Sequence, residues 1–235
     1  CAAQAPERIS RLVMVGTALF VLNVFKTITY TPPGWTKQPA GALFADSLGL
    51  TTLKRFFQGK LRRDQPQDHL VSLPVAAIAR GTVDVAFNVA IILFSGILIL
   101  VYMIAEISGH SLKTTLVDAL LYKNWYWWGL DLVADGLVLV FVAGTWYLLA
   151  SLITGSEVFM SRWARFALGL ELVVSWTVWS HHLLSDQAQP AILKVGSGEM
   201  VTAFELITQG LAFFITMVTL WKARPLQMTN PLKFL

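Results

Sequence analysis

The sequence predicts an all-α bundle of membrane-spanning helices, and three observations carry that prediction. The 235-residue chain is 55% hydrophobic and only 14% charged, and its mean hydropathy of +0.61 lies in the range of integral membrane proteins. Five segments have the length and apolarity to cross a bilayer, which takes about 20 residues of helix. The Lys and Arg residues also divide unequally between the two sides those segments define. Twelve fall on one side, from Lys26 through Lys60 and Arg162 to Lys233, against Arg8, Arg11, Lys113, Lys123 and Lys194 on the other. Basic residues accumulate in cytoplasmic loops, so the richer side is cytoplasmic and the first segment runs from outside to inside.

Taken in order, the first segment covers about Leu12 to Tyr30 and stops at Thr31-Pro32-Pro33-Gly34, a strong helix breaker. A connection follows from Thr31 to Leu73, long for a loop. Its middle, Gly41 to Phe57, has enough Leu and Phe for one interfacial helix, and its tail from Lys54 to Asp68 is charged and solvated. The second segment, about Val83 to Ile107, is preceded by a polar-flanked approach containing Pro74 and Arg80. The third covers about Trp125 to Ile153, the fourth Phe166 to Leu184, and the fifth Met200 to Trp221, closed by Ala223-Arg224-Pro225. Residues 1–235 are expected to form a single transmembrane domain that is a fragment of something longer, with no internal repeat.

Composition narrows the function. A net charge of +4 is accounted for by membrane topology and calls for no nucleic-acid partner. Nine tryptophans suit membrane interfaces, where amphipathic rings settle. The single Cys1 excludes an intramolecular disulfide framework and any Cys-based zinc or iron–sulfur site.

Ionisable and metal-binding side chains at membrane depth are rare and read as functional. The fourth segment ends in Trp179-Ser180-His181-His182, and between Phe166 and Leu184 its one carboxylate is Glu171. Adjacent helical residues project about 100° apart, so both imidazoles reach one metal only when it sits against the helix flank. Asp131 and Asp135 on the third segment are spaced i, i+4 and share one face. Orientation places them in the outer third of that segment, at the level of His181, His182 and, on the fifth segment, Glu205. Two carboxylates in hydrocarbon repel unless protonated or balanced by a cation, and a metal on the histidines is such a cation. Carboxylate with imidazole suits iron, zinc or manganese, and histidine-rich ligation suits copper. The bland alternatives are an interfacial pair of histidines beside Ser185 and Asp186, and an interfacial Asp131 beside Trp125-Tyr126-Trp127-Trp128.

At lower weight, Arg80 and Asp84 read as a structural ion pair, Glu106 and His110 as interfacial, and His69 as solvated. Thr202, Thr208, Thr216 and Thr219 line either a polar path or a helix contact.

The block Asn124-Trp125-Tyr126-Trp127-Trp128-Gly129-Leu130-Asp131, followed fifty residues later by His181-His182, resembles the catalytic subunit of the haem-copper oxidase superfamily, which includes cytochrome c oxidases, quinol oxidases and nitric oxide reductases. The five segments resemble helices four to eight of its twelve. The resemblance implies a binuclear centre of haem and a second metal, iron or copper. His181, His182 and Asp131 would ligate that metal, and the haem ligands lie on helices outside this chain. Asp131 falls where the family carries a third His. Asp135-Gly136 and Glu205 are similar to acidic positions of the nitric oxide reductases, and imply further ligands or proton donors. Oxygen reductases usually carry a redox-active Tyr one turn after that His, where this chain has Asp135, and the fourth segment, where one branch of the oxidases keeps a substitute, has no Tyr either. The expected function is thus respiratory reduction of nitric oxide to nitrous oxide, the alternative a terminal oxygen reductase, and the third a non-catalytic or ion-conducting paralogue. The resemblance also implies a multi-pass plasma-membrane protein, other subunits of a respiratory complex, surrounding lipid, and cytochrome c or quinol as electron donor.

Overall fold

The structure is a computed structural model and describes residues 5–31, 33–34, 36–61, 69–110, 119–177, 185 and 189–223. Every regular element among them is helical: α1 (Ala5–Thr29), α2 (Ala40–Ser47), α3 (Leu50–Phe57), α4 (Leu73–Ile107), α5 (Ala119–Leu137), α6 (Gly144–Thr154), α7 (Ser161–Ser175), α8 (Ala191–Leu193) and α9 (Val201–Lys222). π-helical segments join α5 to α6 (Val138–Ala143) and α8 to α9 (Lys194–Met200), so each pair runs as one rod. Among the described residues, two rods have the length and apolarity of a membrane span by themselves, Leu73–Ile107 and Ala191–Lys222; Ala18–Thr29 is a shorter apolar helix.

Two boundaries differ from expectation. The approach to the second segment is not separate from it: one 35-residue helix runs from Leu73. Pro74 sits in its first turn, where the backbone N–H has no helical partner to lose. The single interfacial helix expected over Gly41 to Phe57 is instead two, broken at Gly49, which takes φ +73°. A side chain is excluded there on a second count. A Cβ on Gly49 would lie 2.5 Å from the Gly169 nitrogen, and one on Gly169 would lie 2.6 Å from the Gly49 carbonyl. The turn between α2 and α3 thus presses backbone to backbone on α7.

Helix α4 is the hub, touching α1, α2, α5, α6 and α7, while α9 packs on α6 and α7. Small residues make the contacts: Ala76, Ala77, Ala143 and Ala164 join Leu73, Tyr147, Val158, Leu168 and Ile215 in the main core, as expected where helices associate by close approach in lipid. The outward surface is apolar. Leu93, Ile97, Leu100, Ile104 and Ile107 form an exposed stripe along α4 at helical spacing. Facing water, this would be an aggregation surface; in a bilayer it is the surface that lipid requires.

The connection between α1 and α4 is anchored by Asp46. Its Oδ2 accepts the backbone N–H groups of Leu70 (2.9 Å) and Val71 (3.0 Å) and lies 3.6 Å from the Arg165 guanidinium at the start of α7. Arg165 also donates to the Val71 carbonyl. His69, expected in solvent, is folded in: its Nδ1 is 3.6 Å from Asp46 Oδ1 and the ring is largely buried. The correction has a plain cause, because a carboxylate that takes two successive amides draws the preceding residue in with them.

Candidate functional site

Asp131 sits on α5 with 5% of its surface exposed. Asn124, Trp128 and Asp131 follow at i, i+4 and i+7, so they share one face, and that face is tied inward. Asn124 exchanges two hydrogen bonds with Gln189, 3.2 Å one way and 2.7 Å the other. Trp128 meets Phe87 of α4 edge to face at 5.7 Å, and Phe87 stacks on Trp176 of α7 at 4.8 Å. Gly129 lets α5 close on α4, since a Cβ there would lie 3.1–3.3 Å from Ile91, Ile92 and the Asn88 amide oxygen.

Glu205 lies on α9, half-buried, within electrostatic range of Asp131 and Glu171. Both acids lie well inside their rods, Asp131 within α5 (Ala119–Leu137) and Glu205 in the first turns of α9 (Val201–Lys222). Asp135 lies one turn beyond Asp131 on α5, and its side chain is outside the described ones. His181 and His182 lie outside the described residues, so the structure neither joins them to Asp131 nor separates them from it.

The site has a member that the sequence analysis did not assign. Glu171 of α7 is 5% exposed and lies in the field of Arg80. That guanidinium is fully buried; it pairs with Asp84, donates to Ser175 Oγ at 2.8 Å and points at the Leu168 carbonyl at 3.4 Å. Arg80–Asp84 is thus the ion pair expected, within α4, and Arg80 also ties α4 to α7 through Ser175 and Leu168. Glu171 also lines a cavity of about 100 Å³ with Tyr147, Thr208 and Gln209, the walls being Val138, Val142, Ala164 and Ala212 among others. A site of that volume with several polar groups has room for more than one water. The signal for Glu171 was present in the sequence as the single carboxylate of its apolar run. The phenol of Tyr147 lies sixteen residues beyond Asp131, ~24 Å along the same rod, and so does not stand beside that carboxylate.

Thr208, Thr216 and Thr219 are buried, and each hydroxyl donates to a carbonyl of its own helix at 2.7–3.1 Å. Thr219 Oγ1 further accepts the Phe159 N–H at 2.9 Å. This is how threonines serve helix contacts, and Thr202 is exposed. His110 is exposed just past the C-terminal end of α4, its Nδ1 3.1 Å from the Ser108 carbonyl.

Among the described residues, no three His, Cys, Asp or Glu side chains are close enough to hold a metal ion. Asp131, Glu171 and Glu205 are acids of one apolar interior, and Arg80 lies in the field of Glu171; a carboxylate in such surroundings is held protonated or is balanced by a nearby cation.

A family model described as "Cytochrome C and Quinol oxidase polypeptide I" matches residues 6–235. No curated protein and no solved structure gives a significant match. A match spanning nearly the whole chain agrees with the helical rods, the Trp-rich start of α5 and the acidic interior. The chain belongs to the cytochrome c and quinol oxidase polypeptide I family, and is a membrane-embedded part of a haem-copper-type respiratory oxidoreductase.

Proposed function

We propose that this chain is the central part of a catalytic subunit that reduces nitric oxide: two NO, two protons and two electrons give one N₂O and one water. The observation that carries this reading is the buried Asp131, a carboxylate where oxygen reductases place a third histidine, with Glu205 in its electrostatic range. His181, His182 and Asp131 would hold the second metal. An oxygen donor in that set favours iron over copper. Beside a haem held by helices outside this chain, that metal would supply electrons and an electrophilic site for NO.

The residues here do the rest. The apolar shell of Leu132 and the Phe87–Trp128–Trp176 stack excludes bulk water from the face that carries Asp131. Asp135 and Glu205 would serve as extra ligands, or as proton donors to the oxygen that leaves as water. A positioned carboxylic acid is the ordinary means of such a transfer. Glu171 and its cavity stand on the cytoplasmic side of Glu205 as a further holder of protons or water. Coupling two NO needs no electron from the protein, which fits a fourth segment that holds no tyrosine. The subunit would reside in the plasma membrane and take electrons from cytochrome c or quinol.

Metal analysis of the full-length enzyme tests the ligand set. Asp131→Ala, His181→Ala and His182→Ala should each empty the second metal site and abolish turnover, since loss of one ligand leaves a weakly held ion. Glu205→Gln should slow turnover while leaving metal content near that of wild type. Full metal content in Asp131→Ala would remove it from the ligand set.

A further inference from the structure

The cytoplasmic face carries a feature that neither the redox site nor the bundle core uses. Helix α3 is short and sharply two-sided. Leu53 and Phe56 turn toward α7, with Leu53 Cβ 3.3 Å from where a Gly169 Cβ would be and the Phe56 ring 4.5 Å from that of Phe166. Lys54 and Phe57, three apart, share the adjoining face, and both are exposed, Phe57 to 76%. Trp163 of α7 continues the apolar edge, its ring 6.3 Å from Phe56 and 40% exposed. Lys60 follows just past the helix, also exposed.

The charge here has one sign. From Leu50 to Arg63 the sequence holds Lys54, Arg55, Lys60, Arg62 and Arg63 and no carboxylate. The nearby acid on the α6–α7 turn, Glu157, lies in the field of Arg165. Lys54 and Arg55 in the last turn of α3 suit the negative end of the helix dipole, but Lys60 lies beyond its reach. An exposed Phe next to cations, on a helix too short to span a membrane, is the pattern of a segment lying in the interfacial layer.

We infer that α3 and the start of α7 form a binding ledge for an acidic phospholipid of the cytoplasmic leaflet. Its phosphodiester would lie against Lys54 and Lys60, and an acyl chain against Phe57 and Trp163. Charge complementarity selects the lipid. Cations near a membrane surface attract anionic headgroups by about 1 kcal/mol each, roughly fivefold in affinity, whereas a zwitterionic headgroup offers no net attraction. The inference is independent of which gas the enzyme reduces.

The test uses the full-length protein in nanodiscs of equal parts phosphatidylglycerol and phosphatidylcholine. The lipids that remain bound after extraction into detergent are identified by native mass spectrometry. Wild type should retain phosphatidylglycerol over phosphatidylcholine about twenty-five-fold, and Lys54→Gln/Lys60→Gln should bring the ratio close to one. Phe57→Ser should lower retention of both lipids. Equal retention by wild type would overturn the proposal, and is also the result expected if another protein covers this ledge. A preference that survives the double substitution would overturn it equally.

Discussion

Asp46 shows how much one carboxylate can organise outside the membrane. Burial pushes its pKa up, but the His69 ring, the Arg165 charge and the Val71 N–H pull it down, and the balance lies below the ordinary aspartate value. A carboxyl group whose folded pKa is depressed adds stability that is present above the unfolded value, about 3.9, and lost as pH falls through the lower folded one. Asp46→Asn should therefore loosen the segment from Leu70 to Ser72 at pH 7 by about 1–3 kcal/mol. Wild type should begin to approach the variant as pH falls below about 4, and converge on it only below the depressed folded pKa. Hydrogen exchange of the Leu70 and Val71 amides measures this directly; equal protection in both proteins at pH 7 would deny Asp46 the role. At the site, Asp131 and Glu205 were legible from the sequence because an acid in an apolar run has few bland explanations. Glu171 carried the same signal, but its significance rests on contacts with α4 and α6 that no local pattern encodes.

At the scale of elements, the α4–α7 contact depends on a buried charge. Arg80 serves Asp84 on its own helix and Ser175 and Leu168 across the interface. Removing one partner of a buried pair strands the other at a cost of about 3–5 kcal/mol, while replacing both by apolar groups is often close to neutral. Arg80→Leu should therefore lower the thermal stability of the purified enzyme sharply, and Arg80→Leu/Asp84→Leu should recover most of the loss. If the double variant melts no higher than the single one, the guanidinium acts mainly through Ser175 and Glu171. The all-helical class and two of the spans, within Leu73–Ile107 and Ala191–Lys222, were legible because lipid demands long apolar runs. Boundaries were less so. Pro74 signals a break in composition yet costs nothing in a first turn, and Gly49 divides an apolar stretch because its backbone must meet Gly169.

For the whole molecule, the twelve-to-five basic bias predicts how the rods sit in the bilayer. The connection that holds α2 and α3 should face the cytoplasm, and the region after His182 should face outside. Single cysteines at Gln58 and Gln187, with Cys1 replaced, should label from opposite sides; labelling of both from one side would invert or break the topology. That topology brings acids from α5, α7 and α9 into one interior while the outward faces stay apolar, and the proposed chemistry depends on it. Family membership establishes a haem-copper-type oxidoreductase, whereas the choice of substrate rests on Asp131 and Glu205.

The most direct measurement of that choice is the turnover of the purified full-length enzyme with nitric oxide and with oxygen under the same electron donor, together with the identity of the metal beside the haem. Faster reduction of NO, with nitrous oxide as product and iron at the second site, is the expected result. Faster reduction of oxygen, with copper beside the haem, would contradict it and make the chain part of a terminal oxidase.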